Sequence, residues 1–286
     1  MTSLRTGISW LCVTGALAGM SACSTTSNAE SAPTTVAATT TAAPTTTVPP
    51  TTTEAPTTTA APTTTLAPNV QIAGRAPVTL VAVGTNNGAD TVNVQNRLNQ
   101  LGFWTGAADG QYGFATQQAV MAFQKYLGLP ADGRVNATTA AYLTEFTERA
   151  HGVADSGTLV EVDKGKQLLH IVVDGQTLWT FNTSTGSEVP YEAVNKKDPT
   201  KIETGDSITP NGLWEVNRER PDGWWDGDLG KIYRPKYFRG GVAIHGMTSV
   251  PNYPASHGCV RLSTMAMDFV WDSGLVPMGT PVWVHE

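Results

Sequence analysis

The chain has 286 residues, a formal net charge of −6 and 15% charged residues. That length gives room for about two domains, and the acidic balance argues against nucleic acid as a partner. The three cysteines, Cys12, Cys23 and Cys259, are an odd count, so they cannot all pair and each needs its own explanation.

Residues 1–22 read as an export signal. Arg5 gives the positive start, residues 8–20 are a short apolar run, and the small residues Ser21 and Ala22 precede Cys23. Cys12 lies inside the apolar run and would be discarded with it. Residues 24–68 are almost entirely Thr, Ala and Pro. Such a tract has little to bury and is expected to stay disordered or PPII-like. As a tether it spans roughly 40 Å as a coil and about 140 Å as PPII. Residues 78–83 (VTLVAV) suggest a short strand ended by Gly84 and Asn87-Gly88. With no function attached to that strand, residues 23–88 are grouped with the tether.

Residues 89–149 read as a small helical domain. Val94, Leu98 and Leu101 recur at i, i+4 and i+7, which defines one buried face, and Val120, Phe123 and Leu127 define a second. Asn136 is a good N-cap for a third helix carrying Tyr142, Leu143 and Phe146. Ala108-Asp109-Gly110 recurs 23 residues later as Ala131-Asp132-Gly133, and each Asp is followed seven residues on by a threonine, Thr116 and Thr139. Both units read as a turn feeding a helix. Trp104 and Tyr112 stand beside loops as weak candidates for a ligand platform. His151, in the polar joint that follows, reads as a solvated linker residue.

Residues 157–286 form a second, mainly β domain. Leu159 to Val162 alternate, residues 168–173 run into an Asp174-Gly175 turn, and residues 177–181 complete a hairpin. Residues 191–206, with Lys196, Lys197 and Lys201, read as a solvated loop. Trp224-Trp225 sits between two Asp-Gly pairs and also reads as loop, either a cleft wall or one core ring beside a partly exposed one. Tyr233, Tyr237 and Phe238 are open in the same way. One helix follows Cys259, capped by Ser263, with Met267, Val270 and Trp271 on one face and Gly274 ending it. A last strand begins after residues 279–281.

The chemistry concentrates in residues 242–261. Val242-Ala243-Ile244 deliver His245, and a loop stiffened by Pro251 and Pro254 returns to Ser256-His257-Gly258-Cys259. Cysteine attacks carbonyl carbon only as the thiolate, and an imidazole is the usual means of making one. Cys259 is therefore the candidate nucleophile, and His245, 14 positions earlier, the candidate general base and acid. Gly258 permits the sharp turn whose N–H groups an oxyanion hole needs. A packed structural cysteine explains neither the preceding Ser-His-Gly nor His245. His245, His257 and Cys259 offer three zinc ligands, but no second ligand pair accompanies them, so no metal is assigned.

At these residues the chain resembles a known family. The IHG…SHGC arrangement is similar to the catalytic signature of the L,D-transpeptidases, the YkuD-type enzymes that remodel peptidoglycan. Residues 182–186 and 209–216 resemble the strand–turn features that precede their active site. In the helical segment, Gln95, Leu98, Gly102, Asp109, Gly110, Tyr112, Gly113, Thr116, Ala119, Val120, Phe123 and Gln124 resemble the three-helix peptidoglycan-binding domain. Met20-Ser21-Ala22-Cys23 resembles a bacterial lipobox. That implies cleavage before Cys23, a diacylglyceryl group on its sulfur, and an exported protein anchored in the membrane facing the wall.

The resemblance implies an α+β chain of two folded domains, the second a YkuD-like β-sandwich. It implies that Cys259 attacks the third residue of a tetrapeptide stem and expels D-Ala to leave a thioester. A second stem's amine then resolves it as a 3→3 cross-link. The Gly246 carbonyl would orient His245. His257 either supports the substrate carbonyl or only packs while its backbone lines the oxyanion hole. Ser256 would contact the loop or substrate. Arg261 either meets a substrate carboxylate, orients His257 or forms a surface ion pair. No metal or organic cofactor is implied, the partners are peptidoglycan stem peptides, and carbapenems would acylate Cys259. Papain-like enzymes place cysteine before histidine, and sortases space the pair far more widely. Three alternatives stay open: L,D-carboxypeptidase action, protein attachment to the wall by the same acyl-enzyme, and a silent wall-adhesion lipoprotein.

Overall fold

The computed structural model describes residues 67–286, so the export signal, Cys23 and nearly all of the tether lie outside the described residues. The expected helices form as α1 (Ala89–Gln100), α2 (Phe114–Tyr126) and α3 (Ala137–Glu145). Val94, Leu98, Val120, Phe123 and Leu143 are fully buried in one core. Asn136 caps α3, its side chain accepting from the Thr139 amide.

Residues 69–88, grouped with the tether on composition, instead form an extended arm packed on these helices, and residues 78–83 make no strand. Leu80 and Val83 enter the helical core while Val78 and Val81 face outward. The Leu80 amide donates to Thr144 Oγ1 (3.0 Å), and the Arg97 guanidinium donates to the Gly74 carbonyl (2.8 Å). With its amides paired to helix side chains and caps, the arm has no need of a ladder.

The echo in the sequence is the trace of one hydrogen-bond cage built twice. Gln95 Nε2 donates to Asp109 Oδ1 (3.0 Å) and Thr116 Oγ1 (2.9 Å), while its Oε1 accepts from the Gly110 amide (2.8 Å). Gln124 repeats this on Asp132 (2.9 Å), Thr139 (3.2 Å) and the Gly133 amide (2.9 Å). Each buried glutamine closes the turn that feeds the next helix. The Tyr112 hydroxyl donates to the Gly133 carbonyl (2.8 Å) and so ties the two cages together.

The second domain holds β1 (Leu159–Asp163), β2 (Leu168–Val173), β3 (Gln176–Asn182), β4 (Tyr191–Val194), β5 (Ile202–Gly205), β6 (Gly212–Glu215), β7 (Arg218–Glu219), β8 (Trp224–Gly227), β9 (Gly230–Arg239), β10 (Val242–Met247), β11 (Val260–Ser263), α4 (Thr264–Asp272) and β12 (Pro281–His285). One sheet runs β3-β2-β1-β12-β6; the other runs β11-β10-β9-β7, with β8 also paired to β9. Val160, Val162, Ile171, Val282 and Val284 of the first sheet meet Phe238, Ile244, Val260 and Leu262 of the second in a core that α4 closes with Met267 and Val270. Ser263 caps α4 as expected.

Three local expectations change. Residues 191–206 are not a solvated loop: β4 and β5 pair as a hairpin. Trp224-Trp225 is not a loop either, because β8 pairs with β9 from Trp224↔Tyr233 to Gly227↔Gly230, and both indoles are exposed rather than one entering the core. Glu161 breaks the alternation of β1. It is completely buried, and its carboxylate accepts from the Val153 and Ala154 amides (2.9 Å each) and meets His285 Nε2 at 3.0 Å. A carboxylate so satisfied can sit inside; it pins the joint to the sheet. His151 in that joint is half-buried, its ring 6.1 Å from that of Tyr126.

The two domains share a seam. Leu168 of β2 lies in the helical core. Trp104 packs against Phe181 (5.9 Å) and Phe269 (5.2 Å), so it is a seam residue rather than a ligand platform. Lys125 of α2 donates to the Gln167 and Thr183 carbonyls (3.1 Å each), and burial lowers its pKa to about 7.

Replacing Gln95 or Gln124 with Leu strands a buried glycine amide and removes the amide donor to an aspartate and a threonine. Each substitution should lower unfolding free energy by about 2 kcal/mol. Urea denaturation followed by circular dichroism checks this; a change below about 0.5 kcal/mol would reduce the cage to a surface decoration.

Candidate active site

Strand pairing brings the chemistry together. β10 runs parallel to β11 with Ile244 opposite Val260 and His245 opposite Arg261. Side chains alternate along a strand, so Ile244, Val260 and Leu262 fill the sandwich core while His245 and Arg261 share the other face. Cys259, one residue before β11, belongs to that same face. His245, Cys259 and Arg261 all line a cavity of about 560 Å³, together with Ser256 and His257.

The loop carrying Cys259 is held from both sides. Thr209 Oγ1 accepts from the Gly186 amide (2.8 Å) and donates to the Gly258 carbonyl (2.7 Å). The Ala255 and Ser256 amides donate to the Thr185 carbonyl (3.0 and 2.9 Å), and the Arg261 amide donates to Ser184 O (3.1 Å). The stretches 182–186 and 209–212 are therefore the scaffold of this turn. Gly258 has φ +126°, and a Cβ there would lie 2.8 Å from the Ile208 carbonyl, so only glycine fits without strain.

The Gly258 amide is already engaged in this arrangement. It donates to Ser256 Oγ (3.0 Å), whose hydroxyl in turn donates to the Cys259 carbonyl (2.5 Å). The serine two residues back thus takes the N–H that the sequence reading gave to an oxyanion hole, and its hydroxyl meets the loop. The His257 ring is exposed and packs edge-on against Tyr191, centroids 4.5 Å apart. Arg261 forms no ion pair among the described residues, and its buried Nε has no hydrogen-bond partner there.

His245 Nδ1 lies 3.0 Å from the Gly246 carbonyl. A carbonyl only accepts, so Nδ1 carries the proton and Nε2 is the free base. Among the described residues the thiol of Cys259 donates to the Gly241 carbonyl (3.7 Å) rather than to the imidazole. Burial pulls the His245 pKa down to about 4; the Gly246 carbonyl works against that, and the Arg261 charge adds to it. Burial also raises the Cys259 pKa, opposed by the Ala243 amide and Arg261. At neutral pH the pair is thus a neutral thiol beside a neutral imidazole, not the preformed thiolate that the sequence argument assumed.

Trp225 and Tyr237, each left open between cleft wall and core, both line the cavity. Sequence reasoning missed Tyr191, Arg218 and Arg220, which line it too. Alternation at Arg218-Glu219-Arg220 was readable as two arginines on one face, but nothing in the sequence said which face looked at Cys259. Thr209 was visible only as part of a turn.

A β-sandwich that sets a histidine and a cysteine on neighbouring strands, behind a three-helix domain, defines a nucleophilic-cysteine site of the acyl-transfer class. Residues 157–284 match the L,D-transpeptidase catalytic domain family (YkuD), and residues 87–143 match the putative peptidoglycan binding domain family. The crystal structure of an L,D-transpeptidase from Xylanimonas cellulosilytica is 43% identical, with a TM-score of 0.64, over 73% of this chain and 99% of that one. The chain belongs to the L,D-transpeptidase family. It is also 39% identical over 72 residues to a spore cortex-lytic enzyme of Bacillus cereus, 25% of this chain and 28% of that protein. A further match is an N-acetylmuramoyl-L-alanine amidase of Mycobacterium tuberculosis, 40% identical over 65 residues, 23% of this chain and 16% of that protein. The chain thus spans about a quarter or less of the length of these curated relatives.

The raised thiol pKa sets a pH signature. Thiolate should be scarce at pH 7, and alkylation by iodoacetamide should still be accelerating above pH 9, beyond an ordinary cysteine's midpoint of about 8.5. Arg261→Ala should move that midpoint further up. A wild-type plateau below pH 7 would mean a preformed ion pair instead.

Proposed function

We propose that this chain is an exported peptidoglycan L,D-transpeptidase that forms 3→3 cross-links through an acyl-enzyme on Cys259. One observation carries the reading: His245 and Cys259 line one cavity, with Nδ1 of the histidine engaged by the Gly246 carbonyl. As the sulfur attacks the carbonyl carbon of the third stem residue, Nε2 of His245 takes its proton. That proton then goes to the amine of the departing D-Ala, and a thioester remains. The acceptor amine of a second stem attacks the thioester, passes a proton to His245, and the thiol is restored. The histidine is neutral above about pH 4, so it is a competent base throughout the physiological range.

Arg261 serves twice. Its charge favours the thiolate and disfavours the imidazolium, so it assists attack. Its unpaired guanidinium suits the carboxylate of the leaving D-Ala. His257 and Ser256 support the turn and the donor stem. The helical domain binds wall glycopeptide and carries the catalytic domain to it. Cys23 bears the lipid, supported by the small-residue cleavage pattern before it. Carbapenems acylate the same sulfur, their strained carbonyl standing in for the stem amide.

Purified protein incubated with disaccharide-tetrapeptide should give, by mass spectrometry, a covalent adduct with loss of alanine. Cys259→Ala should give none, and His245→Ala should form it about 10²–10⁴-fold more slowly. An adduct of equal yield on Cys259→Ala would remove that residue from the mechanism. In cells, Cys23→Ser should move the protein from the membrane pellet to the soluble exported fraction; retention in the pellet would reject the lipid anchor.

A further inference from the structure

The cavity is larger than a thiol and an imidazole require, and its far wall is cationic. Five lysine and arginine side chains line it against two carboxylates, in a chain whose net charge is −6. Both carboxylates are engaged. Asp228 pairs with Lys197 at 3.3 Å, and Glu203 accepts from Asn195 Nδ2 at 2.7 Å. Arg218 and Arg220 have no carboxylate partner among the described residues, and neither does Arg261.

Register explains how these arginines come to face the sulfur. Arg218 on β7 is opposite Tyr237 on β9, Tyr237 is opposite Ala243 on β10, and Cys259 follows next to Ala243 on the β11 side. The row crosses three strand spacings, about 14 Å between backbones. Arg220 lies two residues beyond Arg218, so the β alternation turns it the same way. Both guanidiniums rest on aromatic faces, Arg218 over Tyr237 (3.9 Å) and Arg220 over Trp225 (4.8 Å). Stacking of this kind fixes the plane of the fork while leaving N–H groups at its edge for an anion; on Arg218 one terminal nitrogen also donates to the Gly240 carbonyl (3.1 Å), which helps to hold the fork in place.

We infer that Arg218 and Arg220 are specificity-determining residues that read a free carboxylate of the donor stem, remote from the scissile bond, and so select anionic stems over amidated ones. The inference rests on the transpeptidase reading and adds the charge state of its substrate. Arg261, at the sulfur itself, takes the carboxylate of the departing residue; the β7 pair takes a second one, an arginine row away. Two stem groups offer that chemistry: the α-carboxylate of the second residue and a side-chain carboxylate on the third.

Three disaccharide-tetrapeptides separate these sources, one fully free, one amidated at the second residue and one amidated on the third residue's side chain. Acylation of the full chain by each is followed by mass spectrometry at several concentrations. Wild type should prefer the free stem at least 10-fold in kcat/KM over one of the two amidated stems, which identifies the carboxylate that is read. Arg218→Gln and Arg220→Gln should each reduce that preference by raising KM for the free stem while changing kcat little. The iodoacetamide rate at Cys259 should stay at the wild-type value, which shows an intact site. Equal wild-type rates on all three stems would overturn the inference and leave the transpeptidase reading standing. An equal loss on all stems in both variants would reduce the arginines to a structural role and also overturn it. No adduct from any stem would remove both.

Discussion

The parallel pairing of β10 with β11 is the constraint on which the site depends. It sets His245 beside Arg261 and brings Cys259 to the same face. A slip of one residue would send the imidazole into the sandwich core and Ile244 into the cavity. The slip is prevented by the core on one side, where Ile244, Val260 and Leu262 interlock, and by the turn on the other, where Thr209, Ser256 and Thr185 hold residues 255–258. Parallel strands need a crossover, and this one is short and stiffened by Pro251 and Pro254. The cost of so tight a return falls on Gly258, which adopts a backbone conformation closed to other residues.

Burial then decides the electrostatics. Both reacting groups lose their charged forms relative to water, the histidine toward neutral base and the cysteine toward neutral thiol. A site of this kind does not hold a nucleophile in readiness. It generates one when a substrate carbonyl arrives to receive it, with the imidazole, the Ala243 amide and Arg261 sharing the charge that develops.

The helical faces, the caps at Asn136 and Ser263, the first hairpin and the His–Cys pair were legible in the sequence, because each is written in a local spacing. What was not legible depends on distant partners. Residues 78–83 looked strand-like because they are an apolar, β-branched run ended by Gly84, but Leu80 and Val83 of that run serve the helical core rather than a sheet. Glu161 looked like the polar face of β1, and only the joint folding over it made it interior. The internal echo was visible at its aspartates, glycines and threonines. The glutamines that give it meaning stand at unequal distances from their turns, 14 residues in one case and 8 in the other, so no fixed period reveals them. The serine that takes the Gly258 amide could be named from the motif, but its direction could not.

The seam between the two domains has a consequence of another kind. Leu168 is contributed by the catalytic sheet to the interior of the helical domain, Lys125 reaches back to the Gln167 and Thr183 carbonyls that flank β2 and β3, and Gln118 of α2 donates to Val250 O in the catalytic loop (3.2 Å). Two families meet in this chain as separate sequence segments, yet the interior of the helical segment includes a side chain of the other. Loss of the catalytic sheet would open a hole at Leu168 and withdraw the carbonyls that hold Lys125. The border between the two matched segments is therefore not a border in stability: unfolding of the second would loosen the first.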